Sequence, residues 1–244
     1  MNRIIFGFSI VFLLSFLGCL RLPPALPEMT SRPMAIQKNP ELETVWHQKG
    51  FLNPAFFQLK SDPIFIQKDT FLLDNITFLV PRQNGWTIKS ITDYTRHLPL
   101  RLGECSIAVN AILVIFFDLT MPVEDIDLIS LVDKVPEKNH PIFFFSRSTG
   151  YTKHSLQSGG YTLFYGNGRS FAVISRYSPK DRKYDPEQTI AHELGHMAGL
   201  KHTPKEDGQG KPNVDLMQPR GCLYCSFTTV QCQSLQNYAL FLDL

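Results

Sequence analysis

His192, Glu193 and His196 stand in the order His-Glu-Leu-Gly-His, and His202 follows behind Gly199. An imidazole offers a metal a neutral nitrogen lone pair, and a carboxylate beside a metal site offers a base. On a helix, His192 and His196 share one face, with Cβ atoms about 5–6 Å apart. Two imidazoles so placed close on one zinc ion at Zn–N distances of about 2.0–2.1 Å. Glu193 is turned about 100° around the helix axis, so it addresses a water at the metal rather than the metal itself. Gly199 can adopt the left-handed conformation that ends a helix, after which the chain returns His202 as a third ligand. Three protein ligands leave the fourth position to water, the catalytic rather than the structural arrangement. The metal ligands are therefore expected at His192, His196 and His202, and the general base at Glu193. In a chain of 244 residues, H-E-x-x-H arises by chance roughly 3 times in 100, and with the Gly and third His roughly 1 time in 10,000. His47, His97, His140 and His154 show no comparable spacing.

These side chains need a helix to present them, and the sequence starts one. Asp185 suits an N-cap, Pro186 the first helical position, and Gln188 completes a pattern similar to a capping box. Upstream, Ile76–Val80 reads as a strand, and Trp86–His97 has helical spacing of Trp86, Ile88, Ile91 and Tyr94. Ala111–Phe117 is a strand apolar on both faces, and Ile142–Phe145 is another. Val123–Val132 reads as a helix or a strand. Tyr161–Tyr165 and Phe171–Ile174 flank Gly166-Asn167-Gly168, a hairpin turn signal. Strands alternating with helices place the chain among α/β or α+β folds.

The run H-E-x-x-H-x-x-G-x-x-H from His192 to His202 resembles the metzincin clan of zinc peptidases. In that clan a methionine lies downstream in a tight turn beneath the metal, and Met217, within Asp215-Leu216-Met217-Gln218-Pro219, is the matching residue. Thr203 after the third histidine and Pro219 two residues after Met217 are most similar to the matrixin branch. There is no tyrosine two residues after Met217, as the astacin and serralysin branches have. Cys222 and Cys225 do not stand at the distances from His202 found in the archaeal-type branch. The resemblance is motif-deep over residues 185–219 and architectural before that.

It implies an α+β fold: a mixed, mostly parallel twisted sheet with an active-site helix, and a small irregular C-terminal subdomain ending in a helix over Phe227–Leu242. It implies one catalytic Zn2+; the structural Ca2+ and second Zn2+ of matrixins have no ligands assigned here. It implies an endopeptidase whose protein or peptide substrate lies extended along an edge strand, Tyr161–Tyr165 or Phe171–Ile174, with Leu216–Pro219 walling the pocket beyond the cut. Two other readings stay open. One is a surface binding module that keeps zinc with minor proteolysis, against which the intact Glu193 speaks. The other is a hydrolase of non-peptide amides, which only the substrate separates.

Bulk properties agree with an exported globular enzyme. Hydrophobic residues make up 43% and charged residues 19%, an ordinary globular balance. A net charge of +2 with scattered Lys and Arg gives no field for nucleic acid. Arg3 followed by the apolar run Ile4–Leu17 reads as a signal segment too short to span a membrane comfortably. Phe16-Leu17-Gly18-Cys19 resembles a bacterial lipoprotein box, so Cys19 is a candidate lipid attachment point, with an ordinary signal peptide as the alternative. The expected layout is a signal over 1–19, a Pro-rich tether and packed arm or short pro-segment over 20–70, and a catalytic domain over 71–244, acting as a monomer. With Cys19 set aside, Cys105, Cys222, Cys225 and Cys232 leave an even count that suits two disulfides in an oxidising compartment. Three pairings are possible. A CxxC redox or zinc pair at Cys222 and Cys225 is the rival reading.

Overall fold

A computed structural model describes residues 35–38, 40–60, 70–96, 98–120, 127–136, 140–146, 159–165, 169–175, 186–204, 215–218 and 225–242. The apolar run Ala111–Phe117 falls in an interior strand of the sheet. Strand β4 (Ile107–Asp118) is rich in β-branched and aromatic residues, which suit a pleated surface packed on both sides. The alternation of side chains along a strand sends Ile112, Val114 and Phe116 into one cluster and Leu113, Ile115 and Phe117 into another. The sheet is thus the middle of three layers, and this is why the run lacks polar alternation.

Seven strands make the sheet: β1 (Ala35–Lys38), β2 (Leu52–Lys60), β3 (Phe71–Pro81), β4, β5 (Ile142–Ser146), β6 (Gly160–Tyr165) and β7 (Arg169–Ser175). Their spatial order is β1-β2-β4-β3-β5-β7-β6. The four strands β4, β3, β5 and β7 are mutually parallel, while β6 is antiparallel to β7, β2 to β4 and β1 to β2. All but β2 and β6 therefore run the same way, as the mostly parallel mixed sheet of an α+β fold requires. Of the segment expected over 20–70 as tether and arm, residues 35–38 and 40–60 form β1, α1 (Pro40–Gln48) and β2, and the two strands extend the same sheet. Trp46, Phe51 and Phe56 pack there with α4 (Leu128–Asp133) on one face. The signal segment and Cys19 lie outside the described residues.

The other face carries α2 (Ile88–Thr95), α3 (Leu98–Gly103), α5 (Pro186–Met197) and α6 (Thr229–Leu242). Helix α2 begins later than the periodicity implies, because Thr87 caps it. Its hydroxyl accepts the Ser90 N–H at 3.1 Å, and the Thr87 N–H donates to Ser90 Oγ at 2.9 Å. Trp86 instead precedes the helix and donates its indole N–H to the Ser146 carbonyl at 2.9 Å, tying this corner to the end of β5. A disulfide joins Cys105, just before β4, to Cys232 on α6. Cys225 is also disulfide-bonded. Among the described residues, no helix is long and apolar enough to cross a membrane.

Candidate metal centre

Helix α5 packs against β6 and β7, so its one face is set on the last two strands of the sheet. Ile190, Ala191 and Leu194 are buried there, which turns His192 and His196 outward, partly exposed. The expected cap Asp185 lies outside the described residues. The other end of the helix is closed by Gly199 with φ +82°. The Gly199 N–H donates to the His196 carbonyl at 2.9 Å and the Leu200 N–H to the Gly195 carbonyl at 3.0 Å. This is the paired hydrogen-bond pattern of a Schellman stop, and it needs a residue that tolerates positive φ. The reversal brings His202 back to the other two histidines.

The three rings converge. His202 Nε2 lies 3.1 Å from His192 Nε2 and 3.1 Å from His196 Nε2. The tautomers follow from the opposite ring nitrogens. His192 Nδ1 is 2.7 Å from the Leu216 carbonyl and His196 Nδ1 is 2.8 Å from the Leu200 carbonyl. A carbonyl only accepts, so both Nδ1 atoms carry the proton and both Nε2 atoms present lone pairs. His202 Nε2 meets these lone pairs either as an N–H donor or, with a cation between the rings, as a third ligand. A tetrahedral ion with Zn–N bonds near 2.05 Å has ligand–ligand edges of about 3.3 Å, close to the spacings here. The donor set fits zinc. Burial pushes His192 down to about 4, against the opposing pull of the Leu216 hydrogen bond. Burial, then the neighbouring His196, also lowers His202. Both rings are biased toward the neutral form that ligates metal.

Glu193, next to His192 on α5, is 4% exposed. Thr162 of β6 donates its hydroxyl to Glu193 Oε2 at 2.7 Å. Burial pushes the carboxyl up to about 7, and the Thr162 hydrogen bond pulls against it.

The turn at Met217 packs against α5. Met217 is fully buried, and its Sδ lies so near α5 that a Cβ on Gly195 would come within 2.4 Å of it. The preceding Leu216 carbonyl is the one that fixes His192. One oxygen of Asp215 holds the surroundings together. It accepts the Met217 N–H at 2.9 Å, the Thr203 hydroxyl at 3.1 Å and the Gln231 side-chain amide at 3.2 Å. The Met217 carbonyl accepts the Thr203 N–H at 3.1 Å. His202's neighbour, the methionine turn and α6 thus share one carboxylate. Sequence reasoning placed His192, Glu193, His196, His202 and Met217, and the structure brings the three histidines together. Thr162, Gly195 and the Asp215 hub escaped it, because their partners are distant in sequence. Pro219 and Cys222 lie outside the described residues.

No protein-family model matches the chain, and no curated protein matches it. Solved structures do. Metalloproteinase-II from Bacteroides fragilis is similar at 14% identity with a TM-score of 0.43, over 70% of this chain and 55% of that one. Archaemetzincin from Methanopyrus kandleri is similar at 17% identity with a TM-score of 0.43, over 71% of this chain and 98% of that one. The chain spans only about half the length of the Bacteroides fragilis protein.

Proposed function

We propose that this chain is a zinc-dependent endopeptidase of metzincin type, with His192, His196 and His202 as ligands and Glu193 as general base. The observation that carries the reading is the convergence of three imidazole nitrogens, two of them 3.1 Å from the third, beside a buried carboxylate. Zinc would supply an acidified water and polarise the scissile carbonyl. Glu193 takes a proton from the attacking water and returns it to the departing amine. A group with a pKa pushed up to about 7 by burial can do both near neutral pH.

Among the described residues, strand β6 ends the sheet, whereas β7 is paired on both sides. An extended peptide therefore has β6 available for strand addition, which selects Tyr161–Tyr165 over Phe171–Ile174 as the substrate edge. Thr203 and Pro219 support a reading closest to the matrixin branch. Export, with a lipid at Cys19 or as a freely secreted monomer, agrees with the disulfide between Cys105 and Cys232, a bond that persists in oxidising compartments.

The test is a peptide-library digest by the exported protein with metal analysis. One zinc per chain is expected, with internal cleavage that a chelator stops and zinc restores. Stoichiometric zinc with no cleavage of any peptide would sink the endopeptidase reading and favour a binding module or another amide substrate.

A further inference from the structure

We propose that Thr162 and Gly160, two residues apart on β6, form the seat that holds the Glu193 carboxylate, and that they act as positioning residues for the base. This rests on the hydrolase reading above. Residues two apart on a strand share a face, and the register settles which. Gly160 pairs with Ile174 and Thr162 with Ala172, both members of the cluster that contains α5. Tyr161 and Leu163 pack into the cluster on the opposite face. Gly160 and Thr162 therefore both look at α5.

Each does a different part of the holding. Among the described residues, Thr162 is the one side chain that donates to the carboxylate, at 2.7 Å to Oε2, and it also reaches the Glu193 carbonyl at 3.2 Å. Gly160 leaves the room. A Cβ there would lie 3.0 Å from Glu193 Cγ, 3.1 Å from Oε1 and 2.8 Å from Thr189 Cγ2. A side chain at 160 would push the carboxylate or the helix away, and the base with it. A glutamate has three side-chain torsions, and a charge-assisted hydrogen bond is among the stronger ways to fix one rotamer. The strand that would receive the peptide along its free edge thus also sets the base. The register of substrate and base is built into one element.

The experiment uses the zinc-loaded protein and compares Thr162→Val, Thr162→Ser and Gly160→Ala. Thr162→Val removes the hydroxyl at nearly constant shape. Its kcat should fall about 10–100-fold, since small misplacements of a reacting group cost on that order. KM and zinc content should stay near wild type, because neither the free edge nor the histidines change. Thr162→Ser should recover kcat to within about threefold of wild type, and Gly160→Ala should lose kcat with zinc retained. A second readout needs no substrate. In a double-mutant cycle of thermal unfolding, the Tm losses of Thr162→Val and Glu193→Gln should be clearly less than additive. If Thr162→Val does not fold, Gly160→Ala with Glu193→Gln takes its place in both measurements. Additive Tm losses, or a hydroxyl-free enzyme with kcat within about threefold of wild type, would overturn the seat. A wild-type protein that cleaves no peptide would instead overturn the hydrolase reading, with the unfolding cycle still deciding the seat.

Discussion

A missing Cβ at Gly195 lets the methionine turn reach the helix that carries His192 and His196. Glycine in a helix interior is normally unfavourable by about 0.5–1 kcal/mol against alanine, so a helix with Gly195 between its two histidines invites an explanation. The explanation is the contact: an added Cβ would lie 2.4 Å from Met217 Sδ and 3.2 Å from Phe227 Cε1. Gly195→Ala should therefore destabilise the protein by about 1–3 kcal/mol despite alanine's better helix propensity, as read by urea unfolding. In a Met217→Ala background the penalty should shrink; an equal penalty in both backgrounds would place its origin elsewhere. The histidines were legible because ligand spacing along one helix turn is a local property. Gly160, Thr162 and Gly195 were not, since each acts on a partner that only the fold brings near.

Between helix and turn, the decisive joint is Asp215. Its Oδ1 collects hydrogen bonds from the loop after His202, from the methionine turn and from α6. Asp215→Ala would leave three donors without their acceptor in a site that is 8% exposed. The expected loss is on the order of 3 kcal/mol, and zinc affinity should drop by about tenfold or more because the loop carrying His202 loses its anchor. Urea unfolding and competition with a chromophoric chelator measure the two effects. Unchanged affinity would show that His202 is held without the hub. Elements with a long, one-sided or doubly apolar pattern, such as β3, β4 and β5, were readable from sequence. The start of α2 was not, because Thr87 and Ser90 form a polar cap that outweighs the apolar Trp86. The edge status of β6 was not readable either. Strand order depends on pairings such as Tyr161 with Val173 and Phe144 with Val173, which residue patterns leave open.

Across the protein, the sheet separates two apolar layers and gives its last strand to the site. One layer holds α2, α3, α5 and α6, and the other holds α1 and α4. The role of residues 40–60 in the sheet was the least legible part, because β2 pairs with β4 across a long stretch of sequence and its own pattern is weak. The disulfide from Cys105 to Cys232 spans 127 residues and ties the lead into β4 to the final helix, a pairing that spacing alone could not choose. All of this holds one arrangement: three converging histidines, and Glu193 hydrogen-bonded to Thr162 of β6. The most direct test of that arrangement is Glu193→Gln, assayed for zinc content and peptide hydrolysis together. The amide nearly preserves shape and leaves the ligands alone, so zinc should remain at one equivalent while hydrolysis falls by about 10²–10⁴-fold or more. Full zinc with activity within about tenfold of wild type would contradict the assignment of Glu193 as the base.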